Sequence, residues 1–236
     1  MQIVQESPNL VRLTRFRMIN CFLVHEEGGC TLIDTNVKGS SRSILRAANS
    51  LGWPIRRIVL THAHFDHVGS LDELSKALSE ADVLIGEREA RLLQGDFSLD
   101  AKERGKHLIG FWPIKTKPTQ RINDGEQIGS LRAISSPGHT PGHFSFFDVR
   151  DKTLIAGDAF VTQTGLMAAG VFSLFFPMPA LFSWNGTLCA RSAAKLRDLK
   201  PTRIAVGHGN TLTNPTEAME RAVALAFRQH PDARTL

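Results

Sequence analysis

From its beginning the chain alternates short apolar runs with turn residues, the pattern of strands joined by tight connections. Residues 10–13, 18–24 and 31–34 read as strands. The last two form a hairpin turning at Glu26-Glu27-Gly28-Gly29, with His25 facing Cys30 and Cys21 facing Asp34. A helical rhythm follows. Ser40 or Ser41 caps a helix whose apolar face is Ile44, Leu45, Ala48 and Leu51, ended by Gly52-Trp53-Pro54. Residues 55–60 are a buried strand. Ser70, with Glu73 three residues on, predicts a capping box that opens a helix carrying Leu71, Leu74 and Leu78 on one face. Residues 81–85 are the next strand and 87–93 a short helix.

Between 95 and 118 the pattern weakens into a long, basic, partly helical insertion containing Phe111-Trp112-Pro113. It is either an active-site lid or plain connecting structure. Runs around Ile122, Ile128 and residues 131–134 begin a second β-rich half, and 144–149 with 153–156 form a hairpin about Arg150-Asp151. Ser183 or Asn185 starts a helix with Trp184, Leu188, Leu196 and Leu199 inward. Residues 203–206 are a strand. Asn214-Pro215-Thr216-Glu217 caps the last helix, proline at its first position and glutamate at its third, with Met219, Ala222, Val223, Ala226 and Phe227 as its stripe. No linker separates the halves. The expected organisation is a single domain over 1–236 of two β-plus-helix halves, roughly 1–120 and 121–236, with strand ends pointing to a shared cleft.

Composition changes this picture little. At 236 residues, 42% hydrophobic and 22% charged, the chain is an ordinary globular sequence. Its net charge of +5 is scattered, with a loose group over 102–121 that reads first as a solvated loop and second as a contact surface for an anionic substrate, nucleic acid or membrane; no nucleic-acid partner is expected. Cys21, Cys30 and Cys189 lack C-x-x-C spacing, and the first residues lack the basic-then-apolar pattern of a signal peptide. Both point to a reduced, cytoplasmic protein. No apolar run reaches the roughly 18 residues of a membrane span. The nearest, residues 159–190, carries no charge but is broken by Pro177 and Pro179.

The chemistry starts at Thr61-His62-Ala63-His64-Phe65-Asp66-His67, directly after the apolar run Ile58-Val59-Leu60. In an extended chain His62 and His64 point to one side, whereas on a helix they would point nearly opposite ways. Asp66 and His67 are adjacent and suit a second centre nearby. Further ligand types recur just past strands and beside glycine: His139 in Ser136-Pro137-Gly138-His139-Thr140, Asp158 in Ala156-Gly157-Asp158-Ala159, and His208 in Gly207-His208-Gly209. One metal with an open position needs about three protein ligands. Seven are too many for one ion and fit two that share a carboxylate. His25, His107 and His230 read as surface or hairpin residues, and Thr61 and Thr140 as hydrogen-bond partners behind the ligands or caps of the turns.

In this order and spacing, H-x-H-x-D-H, P-G-H-T, G-D and G-H-G resemble the metallo-β-lactamase superfamily of hydrolases over nearly the whole chain. The resemblance implies an α/β (α+β in some schemes) four-layer αββα sandwich with the metals at the edge of its two sheets. It implies His62, His64 and His139 on a first metal, Asp66, His67 and His208 on a second, and Asp158 bridging. His143 stands where the family has a supporting histidine. Such donors suit zinc first and also iron, manganese or cobalt. Two divalent ions about 3.5–4 Å apart lower the pKa of a bridging water towards about 7, giving a hydroxide that attacks a carbonyl. The ions also stabilise the resulting oxyanion, while Asp66 orients the nucleophile or passes its proton to the leaving group.

The motifs resemble most the glyoxalase II-like and N-acyl-homoserine-lactone lactonase-like branches, which open thioesters and lactones. That lactonase branch places a tyrosine shortly after the bridging aspartate, and this chain contains none. The expectation is therefore a dinuclear hydrolase of a small-molecule ester, lactone or thioester. An acyl chain would be received by Phe160, Leu166, Met167, Phe172, Phe175 and Phe176; a core or homodimer interface is the other use of that segment. A single-iron persulfide dioxygenase, a dimetal phosphodiesterase or nuclease, and a non-catalytic binding protein are the competing readings.

Overall fold

The computed structural model describes residues 1–234. Met1–Asp96 with Gly110–Ile122 form one compact unit, and Phe97–Ile109 with the chain from Asn123 onward form another. The first unit is built on a seven-stranded sheet in the order β1-β2-β3-β4-β5-β6-β7. Its strands are β1 (Gln2–Ser7), β2 (Leu10–Arg15), β3 (Ile19–Glu26), β4 (Gly29–Ile33), β5 (Ile55–Val59), β6 (Asp82–Gly86) and β7 (Gln120–Ile122). The first four form an antiparallel meander, and β4 to β7 run parallel. His25 pairs with Cys30 as the hairpin register requires. The strand β1 was not expected: most of its residues are exposed or half-buried, so it lacks an apolar signal.

Parallel neighbours need crossovers, supplied by α1 (Ser41–Ser50), by α2 (Phe65–Val68) with α3 (Leu71–Ala77), and by α4 (Glu87–Leu93) with the segment after it. The capping box expected at Ser70 does not form. Ser70 Oγ donates to the Val37 carbonyl and accepts from Ser40 N–H, while Glu73 takes the Ser41 hydroxyl. These side chains instead fasten the start of α3 to the start of α1. A missing cap costs about 1 kcal/mol. Fully burying Leu71 and Leu74 gains roughly 1.5–3 kcal/mol each, which is enough to keep the helix. The expected helical content between 95 and 118 is also absent; the segment has no helix or strand, having no apolar stripe to bury.

The second unit has a six-stranded sheet in the order β15-β14-β11-β10-β9-β8. It comprises β8 (Gln127–Ile128), β9 (Leu131–Ser135), β10 (Phe144–Asp148), β11 (Thr153–Ile155), β14 (Arg203–Ala205) and β15 (Leu212–Thr213); β12 (Phe160–Val161) and β13 (Met167–Ala168) pair separately. Around it lie α5 (Met178–Leu181), α6 (Gly186–Asp198) and α7 (Thr216–Gln229). Asn185 caps α6 by accepting from Leu188 N–H. The α7 cap differs from expectation: Pro215 holds the cap position, Asn214 turns left-handed at φ 50°, and no side chain caps the helix. Met219, Ala222, Val223 and Ala226 are buried on its inner face in a core with Phe147, Leu154, Ile204 and Leu196.

All three cysteines are free and buried. Burial pushes the Cys189 thiol up to about 12, and burial with the nearby Glu26 charge pushes Cys30 equally far. These are packing residues.

Candidate metal centre

In the first unit, the carboxyl ends of β4, β5 and β6 lie side by side, and each delivers a polar group. The Thr61–His67 stretch follows β5, Asp34 follows β4, and Glu89 stands in α4 just past β6. Backbone bonds from Asp34 N–H to Val59 O and from Leu60 N–H to Leu84 O carry the ladder up to this edge. The imidazoles of His62 and His64 lie 4.7 Å apart, and those of His62 and His67 4.1 Å apart, centroid to centroid. All three histidines are buried; Asp66, in the first turn of α2, is half-buried.

Asp34 organises this half-site. One carboxylate oxygen accepts from Thr61 N–H (2.8 Å); the other accepts from Thr61 Oγ1 (2.8 Å) and lies 2.7 Å from His67 Nδ1. A carboxylate only accepts, so His67 carries its proton on Nδ1. The Thr61 hydroxyl proton is committed to Asp34, so Thr61 Oγ1, 2.9 Å from His62 Nδ1, must accept from that ring as well. One buried carboxylate thereby fixes two tautomers and makes Nε2 the lone-pair nitrogen of both histidines. Glu89, fully buried, accepts from the Ala63 N–H (2.9 Å) between His62 and His64. Neither acid was singled out in the sequence. Asp34 could have been, since it follows an apolar run as Asp158 does; Glu89, inside a helix, gives no such signal.

Residues 110–116 pack on the same unit. Phe65 N–H donates to Gly110 O (2.9 Å), the Phe111 ring stands 4.8 Å from that of His64, and Trp112 stacks on Phe65 at 4.6 Å. Asp72 anchors the segment by accepting from Lys115 N–H, Thr116 N–H and the Thr116 hydroxyl. Burial alone would raise the Asp72 pKa, but the Thr116 and Lys115 bonds together hold it below its ordinary 3.8. A pKa lowered on folding means that anchoring is complete above the unfolded value and is lost as pH falls through the folded one. Asp72→Ala should therefore speed tryptic cleavage after Lys115 several-fold at neutral pH. Unchanged cleavage would show that the anchor is dispensable.

In the second unit, β10 lies antiparallel to both β9 and β11, and β11 parallel to β14. The carboxyl ends of β9, β11 and β14 therefore share one edge, which carries His139, Asp158 and His208. Asp158 Oδ2 lies 3.4 Å from His139 Nε2 and 3.1 Å from His208 Nε2. His139 and Asp158 are buried and His208 half-buried. Behind them, His143 Nε2 accepts the Asp158 N–H (3.1 Å), so its Nδ1–H donates to Ser136 Oγ (2.9 Å). His143 supports the backbone of Asp158. Ser183 Oγ donates to Pro179 O and accepts from Gly170 N–H, so at 3.3 Å it takes the His139 Nδ1 proton and again makes Nε2 the lone-pair nitrogen. Gly138, at φ 139°, lets the turn press on α6: a Cβ there would fall 2.3 Å from Cys189 N.

The remaining residues singled out in the sequence have varied surroundings. Phe160 is wholly in the core, Met167 is buried and Leu166 packs partly against that core. Phe172 and Phe175 are exposed, Phe175 to 90%, and Phe176 is half-buried. Thr140 is buried, and its carbonyl accepts from Gly138 N–H. His25 stacks on Trp53, His107 is exposed, and His230 Nε2 lies 3.0 Å from Gly170 O. No helix among the described residues is long and apolar enough to cross a membrane.

Comparison with known proteins places the chain in a family. Residues 14–208 match the profile of the Metallo-beta-lactamase superfamily. The chain is 49% identical over 210 residues to the uncharacterized protein YobT of Bacillus subtilis (strain 168), covering 88% of this chain and 90% of that one. It is 28% identical over 223 residues to a hydroxyacylglutathione hydrolase of Rhodospirillum rubrum, covering 92% and 69%. The crystal structure of TTHA1623 in a di-iron-bound form superposes with a TM-score of 0.66 at 27% identity, over 89% of this chain and 96% of that one.

Proposed function

The chain belongs to the metallo-β-lactamase superfamily and has its fold, and from that premise we propose that it is a dinuclear metal-dependent hydrolase opening a carbonyl ester, lactone or thioester. The observation that carries the reading is the hydrogen-bond network behind the histidines. Asp34, Thr61 and Ser183 place protons on Nδ1 of His67, His62 and His139, which leaves Nε2 of each of these rings with the lone pair a metal would need. Imidazole with carboxylate is a donor set that fits borderline divalent ions. His62, His64 and His139 would hold one ion, Asp66, His67 and His208 the other, with Asp158 shared. When bound, such ions polarise a carbonyl oxygen and acidify water to near neutrality.

The residues do the rest. Asp66 and Asp158 leave two divalent ions with net positive charge, which suits an oxyanion. Asp66, half-buried in the first turn of α2, would orient the nucleophile or pass its proton to the leaving group. Zinc is the preferred metal, and the di-iron form of TTHA1623 keeps iron beside it. With no tyrosine in the chain, lactone opening would depend on this centre without a phenol. Phe172, Phe175 and Phe176 are candidates for contact with an acyl chain.

Metal analysis paired with a lactone, a glutathione thioester, a phosphodiester and a persulfide tests the proposal. Two metals per chain with ester, lactone or thioester turnover is the expected result; one iron with oxygen uptake on the persulfide would overturn it. His208→Ala should lose the second metal and keep the fold, and a full hydrolytic rate in that variant would sink the dinuclear mechanism.

A further inference from the structure

We propose that Phe111 and Trp112 form an aromatic wall that binds an apolar substituent, acyl or aryl, of the carbonyl substrate; the inference rests on the hydrolase reading above. The segment carrying them is seated directly on a metal-ligand candidate. Gly110 has φ 86°, and a Cβ added there would come within 3.1 Å of His64 Cδ2, so the backbone closes on the imidazole as only glycine readily permits. Phe65, the residue after His64, donates its N–H to Gly110 O. These contacts fix the wall relative to His64 and not merely near it.

The chemistry of the wall is specific. Phe111 meets the His64 ring at 4.8 Å and 64°, an edge contact. Trp112 stacks one face of its indole on Phe65 at 22° between planes, yet 55% of the residue stays exposed. A large aromatic surface held rigid by stacking, but left open, is a ready partner for an apolar group. From Leu108 to Ile114 the sequence has no charged side chain, so nothing on the wall itself recognises a phosphate or a carboxylate. A substituent a few carbons long on a carbonyl bound beside His64 would lie across these rings. The sequence pointed to residues 160–176 for this task; Phe111 and Trp112, from the insertion, add an aromatic surface against a ligand candidate.

The test uses zinc-loaded protein and the carboxylates that ester cleavage would release: acetate, butanoate, hexanoate, octanoate and phenylacetate, titrated by calorimetry. Affinity should rise roughly twofold per methylene, about half of the full-burial effect in free energy because the wall covers one side of the chain. In Phe111→Ala/Trp112→Ala that rise should flatten while acetate affinity and bound zinc stay unchanged; Trp112→Phe should keep most of it. With zinc bound, a flat series in the parent protein, no carboxylate binding, or a slope that survives in the double variant each overturns the wall alone. Failure of the chain to bind zinc or iron overturns the hydrolase reading first, and the wall with it.

Discussion

Asp158→Asn is expected to reduce bound metal from two ions per chain to one or none and to lower turnover by about two to three orders of magnitude, the scale of removing one group that stabilises developing charge. The carboxylate is buried, with Oδ2 3.4 Å and 3.1 Å from the Nε2 atoms of His139 and His208. Its place comes from the backbone around it: the Asp158 N–H donates to His143, Ala156 N–H to Ala205 O, and Gly207 N–H to Gly157 O. Asparagine keeps the shape and these backbone bonds, so the circular dichroism spectrum should not change. What is lost is the negative charge and an oxygen able to serve two ions. Metal content by emission spectroscopy decides the matter. A variant that holds two metals and turns over at the parent rate would remove Asp158 from the centre.

Asp34→Asn should weaken zinc binding about 10- to 100-fold, the range typical for groups that orient metal-ligating histidines, and cost roughly 1–3 kcal/mol of stability from mispaired buried groups. The substitution is clean at the backbone, because Asp34 sits at φ 60° and asparagine tolerates the left-handed region well. The side chain is where it fails. An amide can still accept the Thr61 N–H, but its NH2 then confronts the Thr61 hydroxyl and His67 Nδ1–H, donors against a donor. Relief requires His67 to move its proton to Nε2, the nitrogen proposed to bind metal. Nitrogen NMR of the histidine rings distinguishes that tautomer change from general loosening. An unchanged His67 tautomer with unchanged zinc affinity would show that the network does not control the site.

The parts of the fold that were legible are those whose signal is local. The hairpin register of β3 and β4, the burial stripe of α7 and the cap of α6 each depend on residues a few positions apart. The failures share a cause as well. Ser70 and Glu73 have the spacing of a capping box, but their hydrogen bonds go to Ser40, Val37 and Ser41, about thirty residues away. A side chain that can cap its own helix or fasten a neighbour is decided by what packs beside it, which spacing cannot express.

Between them, sequence and tertiary structure divide the candidate centre. By itself the sequence determined the candidate ligand types and their strand-end positions, because a strand must end in a tight turn and a metal site would need imidazole and carboxylate there. Tertiary structure alone decided which nitrogen each ring turns forward. Asp34, Glu89 and Ser183 come from other elements, and only the adjacency of parallel strand ends and the packing of the loop before α6 bring them to Thr61, Ala63 and His139. It also set Phe111 against His64 and Trp112 against Phe65, since an insertion without periodicity carries no sequence record of where it folds back.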